Sequence, residues 1–238
     1  MKPAHLAVLL SLTAAVLLLA AGPGTRLQLW DFRTGFQLLR WAAYAGLAGA
    51  GLAMVFLALP RTRRASVAPL MAALLLGLGV ALVPWSGKRQ AGSVPPIHDI
   101  STDTQRPPEF DAVLPLRADA PNPAVYGGPD IAQQQLAAYP DLRTHTMVVA
   151  PPAAFDRALQ AARDMGWDIV AADAAAGRIE ATDTTRWFGF KDDVVIRVEP
   201  DGNGAGSRVD VRSLSRVGGS DVGTNAKRIR AYLSKLGT

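Results

Sequence analysis

The 238-residue chain contains no cysteine, which removes disulfides, thiolate metal ligands and cysteine nucleophiles together. Histidine is scarce: His5, His98 and His145 are the only three, so a catalytic triad or an imidazole metal site has little to draw on. Acid is almost missing from the first third, where Asp31 is the only carboxylate before Lys88. Charge of either sign is absent from Trp41 to Pro60 and from Val67 to Trp85, and Ala4 to Gly22 is interrupted only by His5 and small hydroxyls. With no acid or histidine deep in these runs, a proton relay or ion path across them has no carriers.

What the runs do have is apolar length. Each is close to the roughly 20 residues an α-helix needs to cross a hydrocarbon layer about 30 Å thick. They predict a membrane domain over residues 1–85 with spans at about 4–22, 41–60 and 67–85. For the first run the other reading is a cleaved signal peptide, since Lys2 precedes it and "LLLAAG" closes it with small residues; its length favours a span. The short basic sequence "RTRR", Arg61 to Arg64, reads as a turn that stays cytoplasmic. This predicts a bacterial inner-membrane protein with a cytoplasmic N-terminus and everything after Trp85 in the periplasm. Trp30, Trp41 and Trp85 then fall at the outer interface, where indoles prefer to lie. Ala45, Gly49 and Ala53, with Gly46 and Ala50, repeat small residues at a spacing that lets helices approach closely. Packing within the bundle is the first use expected of them, and a homo-oligomer through the second span is the alternative.

The formal net charge of +5 suggests nucleic acid until it is divided. Of the 25 basic residues, 7 precede Lys88 and 18 follow from it; of the 20 acids, 1 precedes and 19 follow. The basic excess therefore belongs to the membrane part, the rest is close to neutral, and a nucleic-acid role loses its electrostatic argument. The expected partner is the lipid bilayer.

Residues 86–143 are rich in proline and poor in periodicity, predicting extended chain and turns, with "DIAQQQLAAYPD" alone suited to a short helix. Ile97, Ile100, Phe110, Val113, Leu114 and Tyr126 are too many apolar side chains for a bare linker, so the segment is expected to lie against a folded core. That core, residues 144–238, begins with the strand-like "HTMVVA". Pro151-Pro152 opens a helix with an apolar face of Phe155, Leu159 and Ala162. Alternating strands follow, joined at "DGNGAG" by a hairpin, with Ile179, Ala181, Val194, Ile196, Val198, Val209 and Val211 inward. Arg178, Glu180, Thr182, Arg208, Asp210 and Arg212 are expected outward. A last helix, capped by Ser220 or Asp221, carries a stripe of Val222, Ala226, Ile229, Leu233 and Leu236. The fold class is thus a three-helix membrane anchor followed by an α+β domain, an antiparallel meander covered on one face by two helices.

The stretches "PPIHDISTDT", "PPEF", "YPD", "GWDIVAAD", "GRIEATDTTRWFGFKDDVVIRV", "RVDVRSLSRVGGSDVG" and "NAKRIRAYL" run in order over about 94–238. In this combination the region resembles the bacterial and plastid family known as domain of unknown function 1499. The resemblance implies a membrane-attached or exported protein and brings no catalytic residues with it.

From the residues themselves, His98, Asp99, Asp103 and His145 are candidate nitrogen and carboxylate metal ligands, though loop aspartates commonly make Asx turns instead. Asp192 and Asp193 are adjacent on a strand and face opposite ways, which disqualifies them as an acid–base pair. Ser213 and Ser215 lack a nucleophile-elbow motif. No cofactor is indicated. A better candidate is an anion site of Arg212, Arg216, Gly219, Ser220, Lys227 and Arg228, where a strand end and Gly-Gly turn lead into a helix N-terminus. The plain alternative is that Asp221 caps the helix and the arginines pair with Asp210, Asp192 or Asp193. Trp187, Phe188 and Phe190 interrupt two strands at a hairpin end, either as core under the meander or as a loop touching membrane or ligand. The expected function is a non-catalytic binding or scaffolding module of the cell envelope, contacting lipid headgroups or another anionic component, with a membrane-surface hydrolase as the alternative.

Overall fold

The apolar runs form helices longer than the runs themselves. The computed structural model describes residues 3–202 and 206–237, in two units: Met1–Gln90 with Arg186–Gly189, and Ala91–Thr185 with Phe190–Thr238. Lys2, read above as a signal-peptide flank, lies outside the described residues.

In the first unit, α1 (Pro3–Arg26), α2 (Phe32–Ala58) and α3 (Pro60–Ala91) include three helices long and apolar enough to cross a membrane, Ala4–Arg26, Phe32–Ala58 and Ser66–Ala91. The second starts nine residues before the charge-free run at Trp41, because Asp31 caps it: its Oδ1 accepts the Thr34 N–H at 2.7 Å. Arg61 to Arg64 is not a turn. Leu59 is extended at φ −85°, ψ 116°, and Pro60, suited to a first helical position, reopens a helix that runs through the arginines and breaks only at Ser66. The helices pack through small residues. Ala7, Ala14, Ala42, Gly46, Gly49, Ala50, Ala53 and Ala73 are buried, whereas Leu9, Val16, Leu47 and Leu75 point outward. Where α2 meets α3, a Cβ on Gly46 would stand 2.7 Å from the Gly77 carbonyl oxygen, so only glycine fits. Ser11 donates to the Ala73 carbonyl at 2.8 Å, satisfying its hydroxyl inside the bundle. The small-residue stripe of α2 thus packs within this bundle.

Residues Arg186–Gly189 belong to the same unit. The Trp187 indole stands over Gly22, the Phe188 ring lies 5.2 Å from that of Phe36, and Arg26 donates to the Arg186 carbonyl at 2.7 Å. Gly189 adopts φ +71°, a region L side chains avoid, which permits the sharp return after Phe188. Trp187 remains 41% exposed.

In the second unit the strands are β1 (Asp99–Ser101), β2 (His145–Met147), β3 (Asp168–Asp173), β4 (Arg178–Thr184), β5 (Lys191–Pro200) and β6 (Ser207–Ser215). The helices are α4 (Gly128–Ala138), α5 (Pro151–Asp164) and α6 (Thr224–Leu236). Every pairing is antiparallel. The order is β1-β6-β5-β4-β3, with β2 also on β6, and Ala181, Val194 and Ser213 stand in register across the centre. The expected meander is therefore present, and the proline-rich segment adds to it: β1 is part of the sheet edge, not a strap over it. The middle of the hairpin read from "DGNGAG", Asn203 to Ala205, lies outside the described residues; its base is closed by Asp201 N–H to Gly206 O at 3.0 Å.

Period-two alternation puts Ile179, Ala181, Val194, Ile196, Val198, Val209 and Val211 on one face. There they meet Phe155, Ala158 and Ala162 of α5 and Ala226, Ile229, Tyr232 and Leu236 of α6. Tyr232 stacks on Trp167 with centroids 5.2 Å apart and donates to the Ala158 carbonyl at 3.0 Å, so its burial leaves no polar atom unpaired. Val222 precedes α6, at φ +55°, and so is not part of its stripe.

Candidate functional site

The opposite face of the sheet carries the residues expected to meet solvent, yet Glu180, Thr182, Asp193, Asp210 and Arg212 are buried. The chain between β1 and Tyr126 covers them. Phe110 and Val113 pack on Val195 and Leu214 in a small cluster of their own. Charges under such a cover must be paired, because an isolated buried ion costs far more than folding can supply. Each is. Arg212 grips Asp99 with Nε to Oδ1 at 2.9 Å and Nη2 to Oδ2 at 2.8 Å, and gives its remaining bonds to the Pro108 and Ala124 carbonyls. Asp193 receives Arg117 at 3.0 Å and Arg216 at 2.7 and 2.9 Å, with Thr182 donating at 2.8 Å. Arg197 bridges Asp103 and Asp210, both at 2.9 Å. Glu180 accepts backbone N–H bonds from Asp111, Ala112 and Val113 at 3.0 to 3.1 Å, a nest of donors that fastens the turn to the sheet.

On the α6 side, Arg228 pairs with Asp183 and Asp192 and also reaches Asn225 and Ser213. Asp192 and Asp193 do face opposite ways, one toward α6 and the other toward Arg117. Asp221 accepts the N–H groups of Gly223 and Asn225, each at 2.8 Å, so the α6 N-terminus already has a carboxylate on it. Burial raises the Asp221 carboxyl above its ordinary value against those bonds. Burial likewise lowers the Arg117 guanidinium, with Arg216 and Arg212 adding to the effect and Asp193 opposing it.

Of the candidate anion residues, then, Arg212, Arg216 and Arg228 lie inside ion pairs. Lys227 and Gly219 are at the surface, and Ser220, half-buried, accepts the Val222 N–H at 3.2 Å. The candidate metal ligands are not brought together: Asp99 and Asp103 serve Arg212 and Arg197, and His145 Nε2 meets the Gly237 carbonyl at 3.0 Å. His98 lies before β1 with its Nδ1 buried and without a hydrogen-bond partner. Among the described residues no group of three histidine, aspartate or glutamate side chains could hold a metal ion. Ser213 donates to Asn225 at 2.8 Å and is fully buried, with no histidine bonded to it. Phe190 closes the β4–β5 hairpin, its N–H on the Thr185 hydroxyl at 2.8 Å, while Trp187 and Phe188 belong to the membrane-helix unit.

Three cavities open on the segment that covers the sheet. One of about 340 Å³ lies among Arg106, Arg178 and Arg197 over Val195. Its arginines are all engaged: Arg106 with Glu199, Arg178 with Asp111 and Glu180, and Arg197 with Asp103, Asp210 and Glu199. Carboxylates outnumber guanidiniums, so the cleft does not attract anions. The other two, about 550 and 370 Å³, are walled by prolines, aliphatic side chains and Tyr126. None of the three is lined by histidine, aspartate, serine or lysine. Sequence reading missed Arg117 and Arg197 as partners of buried acids, and missed the cavities; neither leaves a periodic signal.

The family described as "Protein of unknown function (DUF1499)" matches residues 99–236, from the first strand of the sheet to the last helix. The chain belongs to the DUF1499 family. Among curated proteins nothing matches it. The match begins at β1, so the buried ion pairs from Asp99 to Arg228 all lie within the DUF1499 region, and the three long helices precede it.

Proposed function

We propose that this DUF1499 protein is a membrane-anchored, non-catalytic binding or scaffolding module of the cell envelope. The observation that carries the reading is the division of labour on the covered sheet face. Ionisable groups are numerous there but neutralise one another, whereas the cavities above are lined mainly by apolar groups and hold no nucleophile–base pair. Acid–base or nucleophilic catalysis needs titratable groups that work as a pair within reach of substrate. Binding needs shape and a few polar contacts. In this reading the N-terminus is cytoplasmic and the α+β unit lies in the periplasm, supported by the density of Arg61, Arg63 and Arg64 between the second and third spans. Contact with lipid headgroups or another anionic component would fall to exposed cations such as Lys227, since Arg212, Arg216 and Arg228 are paired.

The test is to extract the full chain into native nanodiscs and compare its lipids and small molecules by mass spectrometry with those of an unrelated three-span protein. Enrichment of an unaltered compound is the expected result. Turnover of that compound on incubation would instead establish the hydrolase.

A further inference from the structure

The two apolar cavities meet at Pro107 and Tyr126, which line both. One continues along Pro129, Ala132 and Leu136 at α4, the other past Phe110, Leu114 and Val125. At about 550 and 370 Å³ each has the size of a small-molecule site. Leu114, Leu136 and Val125 are 40, 45 and 80% exposed, a concentration of aliphatic surface at the rim of one groove. The walls are nearly uncharged. Glu109 and Arg212 are the only ionised residues lining either cavity, and Arg212 is neutralised by Asp99 behind the wall. One polar atom is left over: the Tyr126 hydroxyl is buried without a hydrogen-bond partner. A buried hydroxyl that gives up water for nothing costs stability, which a ligand oxygen would restore. Burial also pushes this phenol up to about 12, keeping it protonated and therefore a donor.

We propose that this groove binds the acyl chain of a bilayer lipid, with the Tyr126 hydroxyl donating to the oxygen where the chain joins its headgroup. An aliphatic chain matches the uncharged wall, and a single ester oxygen matches the single orphan donor. The chain's own spans keep bilayer lipid near: Thr104 in the groove is only thirteen residues on from Ala91, the end of α3, a reach of at most about 45 Å. The proposal rests on the binding-module reading and names the ligand class and the place.

The experiment uses the full chain in nanodiscs containing phosphatidylcholine with a diazirine on one acyl chain. After irradiation the labelled peptides are mapped by mass spectrometry. Label is expected within residues 104–136 as well as in the spanning helices, which serve as an internal standard. Ala132→Trp, which fills the groove, should lower the 104–136 label at least about fivefold relative to that standard. Tyr126→Phe, which keeps the shape and removes the donor, should lower it by about fivefold. Helices labelled with 104–136 clear, or groove label indifferent to Ala132→Trp, overturns the proposal. Enrichment of a copurifying compound, measured separately above, would then still stand for a binding module acting elsewhere.

Discussion

Arg212 on β6 and Asp99 on β1, 113 residues apart in sequence, form a two-bond ion pair that is buried on both sides. It joins the edge strand to the sheet at the register Asp99 to Leu214, and places the guanidinium 4.9 Å from the centre of the Phe110 ring. Replacing one member leaves the other as an uncompensated charge. Asp99→Asn should therefore destabilise the fold by roughly 3 to 5 kcal/mol, the usual cost of breaking a buried pair from one side. Intrinsic tryptophan fluorescence during heating reads this out. A melting temperature equal to the parent's would mean the pair is not structural.

Gly46 and Gly77 bring α2 and α3 into backbone contact. Gly46→Ala places a methyl group against the Gly77 carbonyl, with no flexible side chain to yield, and overpacking of this kind costs about 1 to 3 kcal/mol. Lower resistance of the micelle-bound chain to heat is expected, whereas Gly79→Ala, whose Cβ would meet nothing within 4 Å, should behave like the parent.

Trp187 is 41% exposed, so Trp187→Ala should cost clearly less than the roughly 3 to 5 kcal/mol of emptying a fully buried aromatic site. Gly22→Leu attacks the same contact from the other side, since its side chain would run into the indole. Combining the two should be no worse than Gly22→Leu alone. Additive losses would deny that the two residues touch.

Stability against acid divides between two carboxyls shifted in opposite directions. Burial raises Asp103, but the N–H groups of Arg106 and Gln105 and the Arg197 guanidinium outweigh it and hold it below its ordinary value. Its contribution is present above the unfolded value and lost as pH falls through the folded one. Asp221 is raised by burial, so its folded form takes up a proton first and gains stability as pH falls through that raised value. In melting curves taken against pH, Asp103→Asn should flatten the acid limb below about pH 4, whereas Asp221→Asn should steepen the fall in stability just above about pH 4, between the ordinary and the raised value. The reverse order would contradict the assignment of both environments.

Absence of cysteine makes topology directly measurable. Gly202 is exposed, and a Cβ there would meet nothing within 4 Å. Gly202→Cys should react with a membrane-impermeant maleimide in intact spheroplasts. Reaction only after lysis would invert the orientation.

Sequence alone determined the three helices long and apolar enough to cross a membrane, the inward faces of β4, β5 and β6, and the two helices that cover them, because each follows from a run or a period of apolar residues within one element. It also made the opposite facing of Asp192 and Asp193 legible, since alternation on a strand is local. Tertiary structure decided what lies over the other face. Glu180, Asp210 and Arg212 fall on positions that alternation reads as outward, and that reading is right about direction but silent about cover. The backbone N–H groups that meet Glu180 and the carboxylate that meets Arg212 are 67 to 113 positions away, in a proline-rich segment with no period to read. The same holds for the anion site: Arg212, Arg216 and Arg228 cluster in sequence as a basic run, and only folding shows that acids from β1, β4 and β5 reach them first. Charge adjacency along a chain is not charge exposure, because neutralisation acts through space at about 3 Å, a distance that sequence separation does not encode.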